Sequence, residues 1–225
     1  MRAVTRGRFI TFEGGEGAGK STQVRILAER LRGAGLEVVA TREPGGSPGA
    51  EAIRALLVTG DPDRWSAISE TLLMYAARRD HIERTIRPAL ERGAWVVSDR
   101  FADSTRAYQG AGGGAPHGLV AALESFVLED TRPDLTLILD LPVDLGLERA
   151  GLRGGAEARF EAKGHAFHQR LRKAFLDIAK AEPNRCLALD AGQPPETVSA
   201  AVWSAVAAHL PVGPVGGRLG GLHHD

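Results

Sequence analysis

The sequence predicts one α/β domain built on a parallel β-sheet, and three observations carry that expectation. Short apolar runs alternate with amphipathic stretches of helical period along the whole chain. A glycine-rich turn joins the first apolar run to the first helix, as a strand–turn–helix unit requires. No internal repeat or linker-like composition divides the chain, and 225 residues suffice to bury a single core. Parallel strands joined by right-handed helical crossovers satisfy such an alternation.

The first strand, Phe9-Ile-Thr-Phe12, runs into Gly14-Gly-Glu-Gly-Ala-Gly-Lys-Ser21, which fits the spacing Gly-x-x-x-x-Gly-Lys-[Ser/Thr] in full. Gly14, Gly15, Gly17 and Gly19 let backbone N–H groups curl around phosphate oxygens without Cβ obstruction. Lys20 is placed to reach the outer phosphates, and the Ser21 hydroxyl to ligate Mg²⁺. The helix that opens near Lys20, with Thr22 at the same start, turns its unpaired N–H groups toward the anion. Binding of a nucleoside triphosphate is the expectation. Val24, Leu27 and Leu31 mark the buried face of that helix, and Gly33 or Gly35 ends it.

Leu36-Glu-Val-Val-Ala40 reads as the second strand, with Thr41-Arg-Glu-Pro-Gly-Gly46 at its carboxyl end, the edge where open parallel sheets bind ligands. Arg42 there is either a phosphate clamp or an ordinary arginine in a surface turn. Ser47–Val58 reads as a short helix with Leu56 and Leu57 on its buried face, and Gly60–Asp63 as a loop. A long helical stretch then runs from about Ser66 to Glu91, through Ile68, Leu72, Tyr75, Ile82, Ile86 and Leu90, with a kink or break at Pro88. It is long enough for both a site face and a partner face. Arg78, Arg79 and Asp80 interrupt it midway, facing solvent or a phosphate pocket.

Ala94-Trp-Val-Val-Ser98 is nearly all apolar, as a buried parallel strand should be. It ends in Asp99-Arg100, either a metal-holding carboxylate with a phosphate-neutralising arginine or a buried ion pair closing the strand. Gly110–Gly114 with Pro116 reads as a flexible loop, and Leu119, Leu123, Phe126 and Val127 as the next helix. Leu135–Leu139 is the fourth strand, ending at Asp140, and Pro142 opens a helix through Leu147 and Ala150. The glycine-rich, charged segment Gly151–Glu161 suits a mobile flap carrying Arg153 or Arg159 over a phosphate, or else a plain surface loop. Phe167, Leu171, Phe175 and Ile178 mark a long helix, Cys186–Leu189 a fifth strand ending at Asp190, and Val198, Val202 and Val206 a last helix. Pro211–Asp225 is rich in glycine and proline and is expected to be disordered.

With 28 basic and 28 acidic residues, the chain gives no global argument for nucleic acid or an anionic membrane as partner. The lone cysteine, Cys186, excludes an internal disulfide and reads as a buried small hydrophobe. No run of 18 apolar residues exists and no apolar signal region precedes the first strand, so a cytoplasmic location is expected. The Asn-Lys-x-Asp signal of guanine-reading GTPases and the Leu-Ser-Gly-Gly stretch of transporter ATPases are both absent. Arginines at several strand ends and in the flap suit the clamping of two phosphorylated molecules end to end, because like charges must be held in line. A phosphate acceptor, already largely ionised, needs no strong general base.

Phe12-Glu-Gly-Gly-Glu-Gly-Ala-Gly-Lys-Ser-Thr22, Thr41-Arg-Glu-Pro-Gly-Gly46, Tyr75-Ala-Ala-Arg78, Asp99-Arg-Phe101, Asp103-Ser-Thr105, Ala107-Tyr-Gln-Gly110 and Leu139-Asp-Leu-Pro142 resemble the bacterial thymidylate kinase family, from about residue 8 to 208. The resemblance implies a three-layer P-loop nucleoside monophosphate kinase fold, with a five-stranded parallel sheet and helices on both faces. It also implies a single domain over 8–208, a flap at about 151–162 and a tail over 209–225. The implied activity is transfer of the γ-phosphoryl of ATP to dTMP with Mg²⁺, in a homodimer packed through long helices.

Through this resemblance, Lys20 would hold the donor phosphates, with Gly14, Gly15, Glu16, Gly17, Ala18, Gly19, Ser21 and Thr22 forming the rest of the donor loop. Ser21, Glu16 and Asp99 would serve the metal region, and Arg78 and Arg100 would clasp the acceptor phosphate and the transferring group. Arg42 would line the acceptor phosphate pocket, with Glu13 beside Glu16 at the end of the first strand. Ser104, Thr105 and Gln109 would read the thymine edge, and Tyr108 would pack under the deoxyribose and exclude a 2′-hydroxyl. The loop carries no basic residue at its variable positions, so a flap arginine is expected to complete catalysis, Arg153 first and Arg159 second. Met74 departs from the pattern, standing where the family usually has a phenylalanine stacked on thymine. A kinase for another nucleoside monophosphate or a deoxynucleoside, and a P-loop regulatory ATPase, stay open as alternatives.

Overall fold

Every residue of β1 (Phe9–Glu13) is buried, because the strand lies at the centre of a five-stranded sheet in the order β2-β3-β1-β4-β5. The computed structural model describes residues 5–61, 63–153 and 158–212. β2 is Val38–Arg42, β3 Trp95–Asp99, β4 Leu135–Asp140 and β5 Cys186–Asp190, and all pairings are parallel. β2 sits two residues later than Leu36–Ala40, so Thr41 and Arg42 belong to the strand itself. Pairing explains the shift, since Val38 registers with Trp95 and Arg42 with Asp99.

Alternation along β1 divides the core between two helical layers. Ile10 and Phe12 pack on the side of α1 (Lys20–Gly33) and α10 (Pro195–His209), with Val24, Leu27, Leu31, Val198, Val202 and Val206. Phe9 faces the other layer and meets Phe101 edge-on, with ring centroids 4.9 Å apart. Removing one such aromatic side chain from water stabilises the fold by roughly 2–3 kcal/mol. That second layer contains α3 (Ala67–His81), α4 (Arg87–Glu91), α6 (His117–Leu128) and α9 (His165–Ala181). The three-layer expectation holds.

Several local expectations change. In α2 (Pro48–Val58) Leu57 is buried, but Leu56 is exposed, because successive helical residues point about 100° apart. The long helical stretch does not break at Pro88 but passes from α3 to α4 through a π-helical segment, Ile82–Ile86. Pro88 has no N–H for the Arg84 carbonyl and its ring would press on it, and the wider turn just upstream, with Arg87 N–H bonded to Ile82 O, relieves both. Gly110–Gly112 are not loop but the end of a second π-helical segment, Arg106–Gly112, which follows the short α5 (Ala102–Thr105). Phe126 on α6 is exposed. α7 (Val143–Arg153) and α8 (Ala158–Glu161) occupy much of the predicted flap, so its described part is helical. Most of the 209–225 tail lies outside the described residues.

Cys186 is buried, and burial with Asp103 nearby pushes its thiol up to about 12, so it behaves as a small hydrophobe. Among the described residues, no helix is long and apolar enough to cross a membrane.

Candidate active site

The loops at the carboxyl ends of β1, β2 and β3 meet at one edge of the sheet because the register sets Phe12, Arg42 and Asp99 side by side. Gly14 takes φ +130°, and a Cβ there would stand 2.4 Å from the Leu139 carbonyl oxygen. Gly17 takes φ +69°, with the Gly146 carbonyl oxygen 2.1 Å from where its Cβ would be. Both are therefore held to glycine by backbone shape and by close approach. Gly19 is the N-cap of α1 and has no side chain to occupy the helix's first N–H groups, which leaves them for an anion. Lys20 is buried and donates from Nζ to the carbonyls of Gly14 (3.2 Å) and Gly15 (2.7 Å), at the mouth of the same loop. Burial and the neighbouring Arg100 charge lower it to about 8, against the pull of Glu16 and Asp99.

Ser21 Oγ donates to Asp99 Oδ2 and joins the helix start to the end of β3. These two face an open groove of about 890 Å³ that Arg42 and Glu51 also line. Among the described residues no cluster of three or more His, Cys, Asp or Glu side chains is arranged to hold a metal. One hydroxyl and one carboxylate suit Mg²⁺, which keeps water and substrate phosphate as its remaining ligands.

Beside this groove lies a second cavity of about 530 Å³, walled by Met74, Arg78, Arg100, Thr105, Tyr108 and Phe160. Arg78 is 2% exposed, and its guanidinium bonds to Glu43 Oε2 (2.7 Å), Thr105 Oγ1 (3.0 Å) and the Phe101 carbonyl (2.9 Å). Burial disfavours its charge, but Glu43 outweighs that and holds its pKa above the ordinary arginine value. The three bonds use one N–H on each nitrogen, so each terminal nitrogen keeps a donor for the cavity.

Arg100 has φ +70° and stands between the two halves of the site. It bonds to the Gly14 carbonyl (3.0 Å), to both Glu16 oxygens (3.1 Å each) and to Ser104 Oγ (3.3 Å). Its guanidinium carbon lies 4.8 Å from the Tyr108 ring centroid. Tyr108 OH donates to Glu16 Oε1 at 2.6 Å, while Phe160, Phe167 and Phe175 meet its ring edge-on. Burial raises the Glu16 pKa, but Arg100, Lys20 and the Tyr108 hydrogen bond outweigh it and hold the carboxyl at about 2.

Not every predicted residue reaches the cavity. Glu13 shares the sheet face of Phe9 and points beneath α5, accepting from Phe101 N–H (2.8 Å) and Ser104 Oγ (2.5 Å); it is an internal strut. Burial and Asp103 push it up to about 8. Arg42 is half-exposed, pairs with Glu51 at 3.3 Å and lines the Ser21–Asp99 groove, not the cavity of Arg78. Glu16 is bonded toward Arg100 and Tyr108 rather than joined to the Ser21–Asp99 pair. Arg159 is buried, 2.5 Å from Glu70, and also donates to the Leu57 and Asp61 carbonyls, which fixes α8 to the end of α2. Glu70 in turn accepts from Gln109 Nε2 at 2.9 Å, so Arg159 supports the cavity wall. Arg153 closes α7, and its side chain lies outside the described residues.

Four contributors escaped the sequence reading. Glu43 anchors Arg78, His81 bonds to Glu43, Glu70 anchors Gln109, and Phe160 closes the cavity. His81 carried one legible signal: it follows Arg78 by one helical turn, so the two share a face of α3.

Comparison with known proteins agrees with this geometry. The family model described as thymidylate kinase matches residues 12–202. The thymidylate kinase of Caulobacter vibrioides is 66% identical over 207 residues, covering 92% of this chain and 99% of that protein. That of Nitrobacter hamburgensis is 57% identical over 203 residues, covering 89% and 88%. The crystal structure of thymidylate kinase from Ehrlichia chaffeensis superposes with a TM-score of 0.71 at 36% identity, covering 89% of this chain and 99% of that one. With phosphate loop, bridging arginine and a second cavity lined by aromatic and charged side chains in one parallel-sheet scaffold, the chain belongs to the thymidylate kinase family.

Proposed function

We propose how the described residues divide the work of the family's reaction, in which the terminal phosphoryl group of ATP passes to dTMP and leaves ADP and dTDP. The observation that carries the reading is Arg100, which touches the phosphate loop at Gly14 and the second cavity at Glu16 and Tyr108. A guanidinium at that junction can neutralise charge on a group passing from one side to the other.

On the donor side, the loop N–H groups and Lys20 would bind the triphosphate, and Ser21 with Asp99 would hold Mg²⁺. Bound there, Mg²⁺ would neutralise phosphate charge and orient the donor. On the acceptor side, Tyr108 and Glu16 form the floor for the sugar, and Thr105, Gln109 and Arg78 the base end. Arg78 goes with the base and not with the phosphate, because its terminal nitrogens lie against Thr105 and Phe101 while Arg100 takes the loop. The aromatic wall of Phe160 and Tyr108 excludes water from the acceptor. Arg153 is the flap residue assigned to complete the positive charge, since Arg159 is committed to Glu70. A homodimer through α3 is supported by Ile68 and Leu72, each 48% exposed on that helix.

A coupled assay of ADP release with dTMP, dCMP, dGMP and thymidine, in Mg²⁺ and in EDTA, tests the assignment. Turnover is expected with dTMP and Mg²⁺ and abolished by EDTA; no acceptor-dependent ADP release from any compound would reject the kinase reading. Light scattering on the same preparation is expected to return twice the 23.9 kDa chain mass, and a monomer mass rejects the dimer.

A further inference from the structure

We infer that His81 is a positioning residue for the acceptor cavity, acting through Glu43 on Arg78. His81 is fully buried on α3, and its ring bridges two groups that follow one another on β2 and the turn after it. Nδ1 lies 2.9 Å from Glu43 Oε1, and Nε2 lies 2.8 Å from Thr41 Oγ1. The other Glu43 oxygen accepts from Arg78 Nε, and Arg78 passes the constraint to Thr105 in the cavity wall. The inference rests on the assignment of Arg78 to the acceptor.

The chemistry allows one arrangement of protons in a neutral ring. Glu43, paired with a guanidinium, is a carboxylate and can only accept. Nδ1 must therefore donate to it, which leaves Nε2 to accept from the Thr41 hydroxyl. The Glu43 main chain is already fixed, because its N–H donates to the Asp99 carbonyl at 2.9 Å. What His81 adds is the orientation of the carboxylate plane, and hence the direction in which Arg78 presents its remaining donors. The turn leaves room for this ring only with glycine at 46, where φ is +87° and a Cβ would stand 2.4 Å from His81 Nε2.

Two isosteric halves of the imidazole separate positioning from packing. In His81→Asn the amide nitrogen takes the place of Nδ1 and keeps the Glu43 bond. In His81→Gln it reaches toward the place of Nε2 and leaves Glu43 Oε1 without its donor. His81→Gln is expected to raise the KM for dTMP about tenfold, with kcat and the KM for ATP within about threefold, whereas His81→Asn stays within about threefold on all three. His81→Gln strands a buried carboxylate oxygen and His81→Asn a threonine hydroxyl, so the first should lower the melting temperature more. A merely structural role would lower kcat or raise both KM values, whereas positioning raises the dTMP KM alone. Should His81→Gln fail to fold, Glu43→Gln provides the second reading: it is expected to raise the dTMP KM selectively, with kcat and the KM for ATP within about threefold. Equal effects of His81→Asn and His81→Gln, or a Glu43→Gln enzyme with unchanged dTMP KM, overturn the inference. Wild-type protein without dTMP-dependent turnover overturns the functional assignment as well, whereas wild-type turnover with unselective variants overturns this inference alone.

Discussion

In the cavity wall Arg78 is 2% exposed and bonded on three edges, while beside the Ser21–Asp99 pair Arg42 is 57% exposed and shares a surface ion pair with Glu51. The contrast extends to the spaces they border: about 530 Å³ walled by aromatic rings and buried charges, against about 890 Å³ open at the Ser21–Asp99 groove. A buried guanidinium has shed its water and is held by partners that cannot relax, so its geometry is set before any ligand arrives. An exposed one must be ordered by the ligand itself. The cavity around Arg78 is thus organised by packing, and the phosphate loop by backbone geometry.

The largest break in that contrast should come from Arg78→Lys. A lysine keeps the charge but has no planar fork, so it cannot hold Glu43, Thr105 and the Phe101 carbonyl together. The KM for dTMP is expected to rise by about 100-fold, the cost of stranding a buried carboxylate and misplacing a donor, with the KM for ATP within about twofold. Equal rises in both constants would show that the two halves are not separately organised.

A second, intermediate effect is read from pH. Lys20 is active when protonated, and its lowered pKa of about 8 brings loss of that charge into the assay range as pH rises. The value of kcat/KM for ATP reports the free enzyme and should fall about tenfold per pH unit above pH 8. At saturating ATP the bound phosphates favour the protonated amine, so kcat/KM for dTMP should keep its plateau to higher pH. Glu13, pushed to about 8 by burial and Asp103, titrates in the same range. A limb that persists in Glu13→Gln belongs to Lys20; one that disappears there reassigns it to the strut.

Legibility follows the same division. The phosphate loop was readable because its chemistry is local: the glycines, Lys20 and Ser21 lie within eight consecutive positions, and Gly14, Gly17 and Gly19 take backbone conformations that favour glycine. Strand ends such as Asp99-Arg100 were readable for a similar reason, since parallel strands deliver their carboxyl ends to one edge. The acceptor half depends on pairs far apart in the chain. Glu43 with Arg78 and Glu70 with Arg159 are set by how helices pack over the sheet. No periodicity encodes that choice. Arg159 shows the consequence: glycine-rich surroundings suggested a phosphate-seeking flap residue, but a carboxylate on α3 claims it within the wall. The π-helical segments were hidden for a different reason, because an apolar stripe looks nearly the same when one residue is added to a turn.

The smallest expected effect probes whether the acceptor cavity is tuned or merely shaped. Met74 borders the cavity and packs against the cluster that includes Tyr108, Phe160 and Phe175. A thioether contributes about 0.3–1.5 kcal/mol against a ring, whereas a flat aromatic face stacked on a base contributes about 1–3 kcal/mol. Met74→Phe should therefore tighten dTMP binding by about 1 kcal/mol, or roughly fivefold. Overpacking opposes this, since an inflexible ring in a filled wall costs about 1–3 kcal/mol. The side chain is partly buried at the edge of open volume rather than enclosed on all sides, which leaves stacking the larger effect. Calorimetric titration with dTMP decides between them. A fivefold tighter dissociation constant with an unchanged KM for ATP means that the half organised by packing still had affinity to gain. An equal or weaker constant means that methionine already fits the base as well as this wall allows.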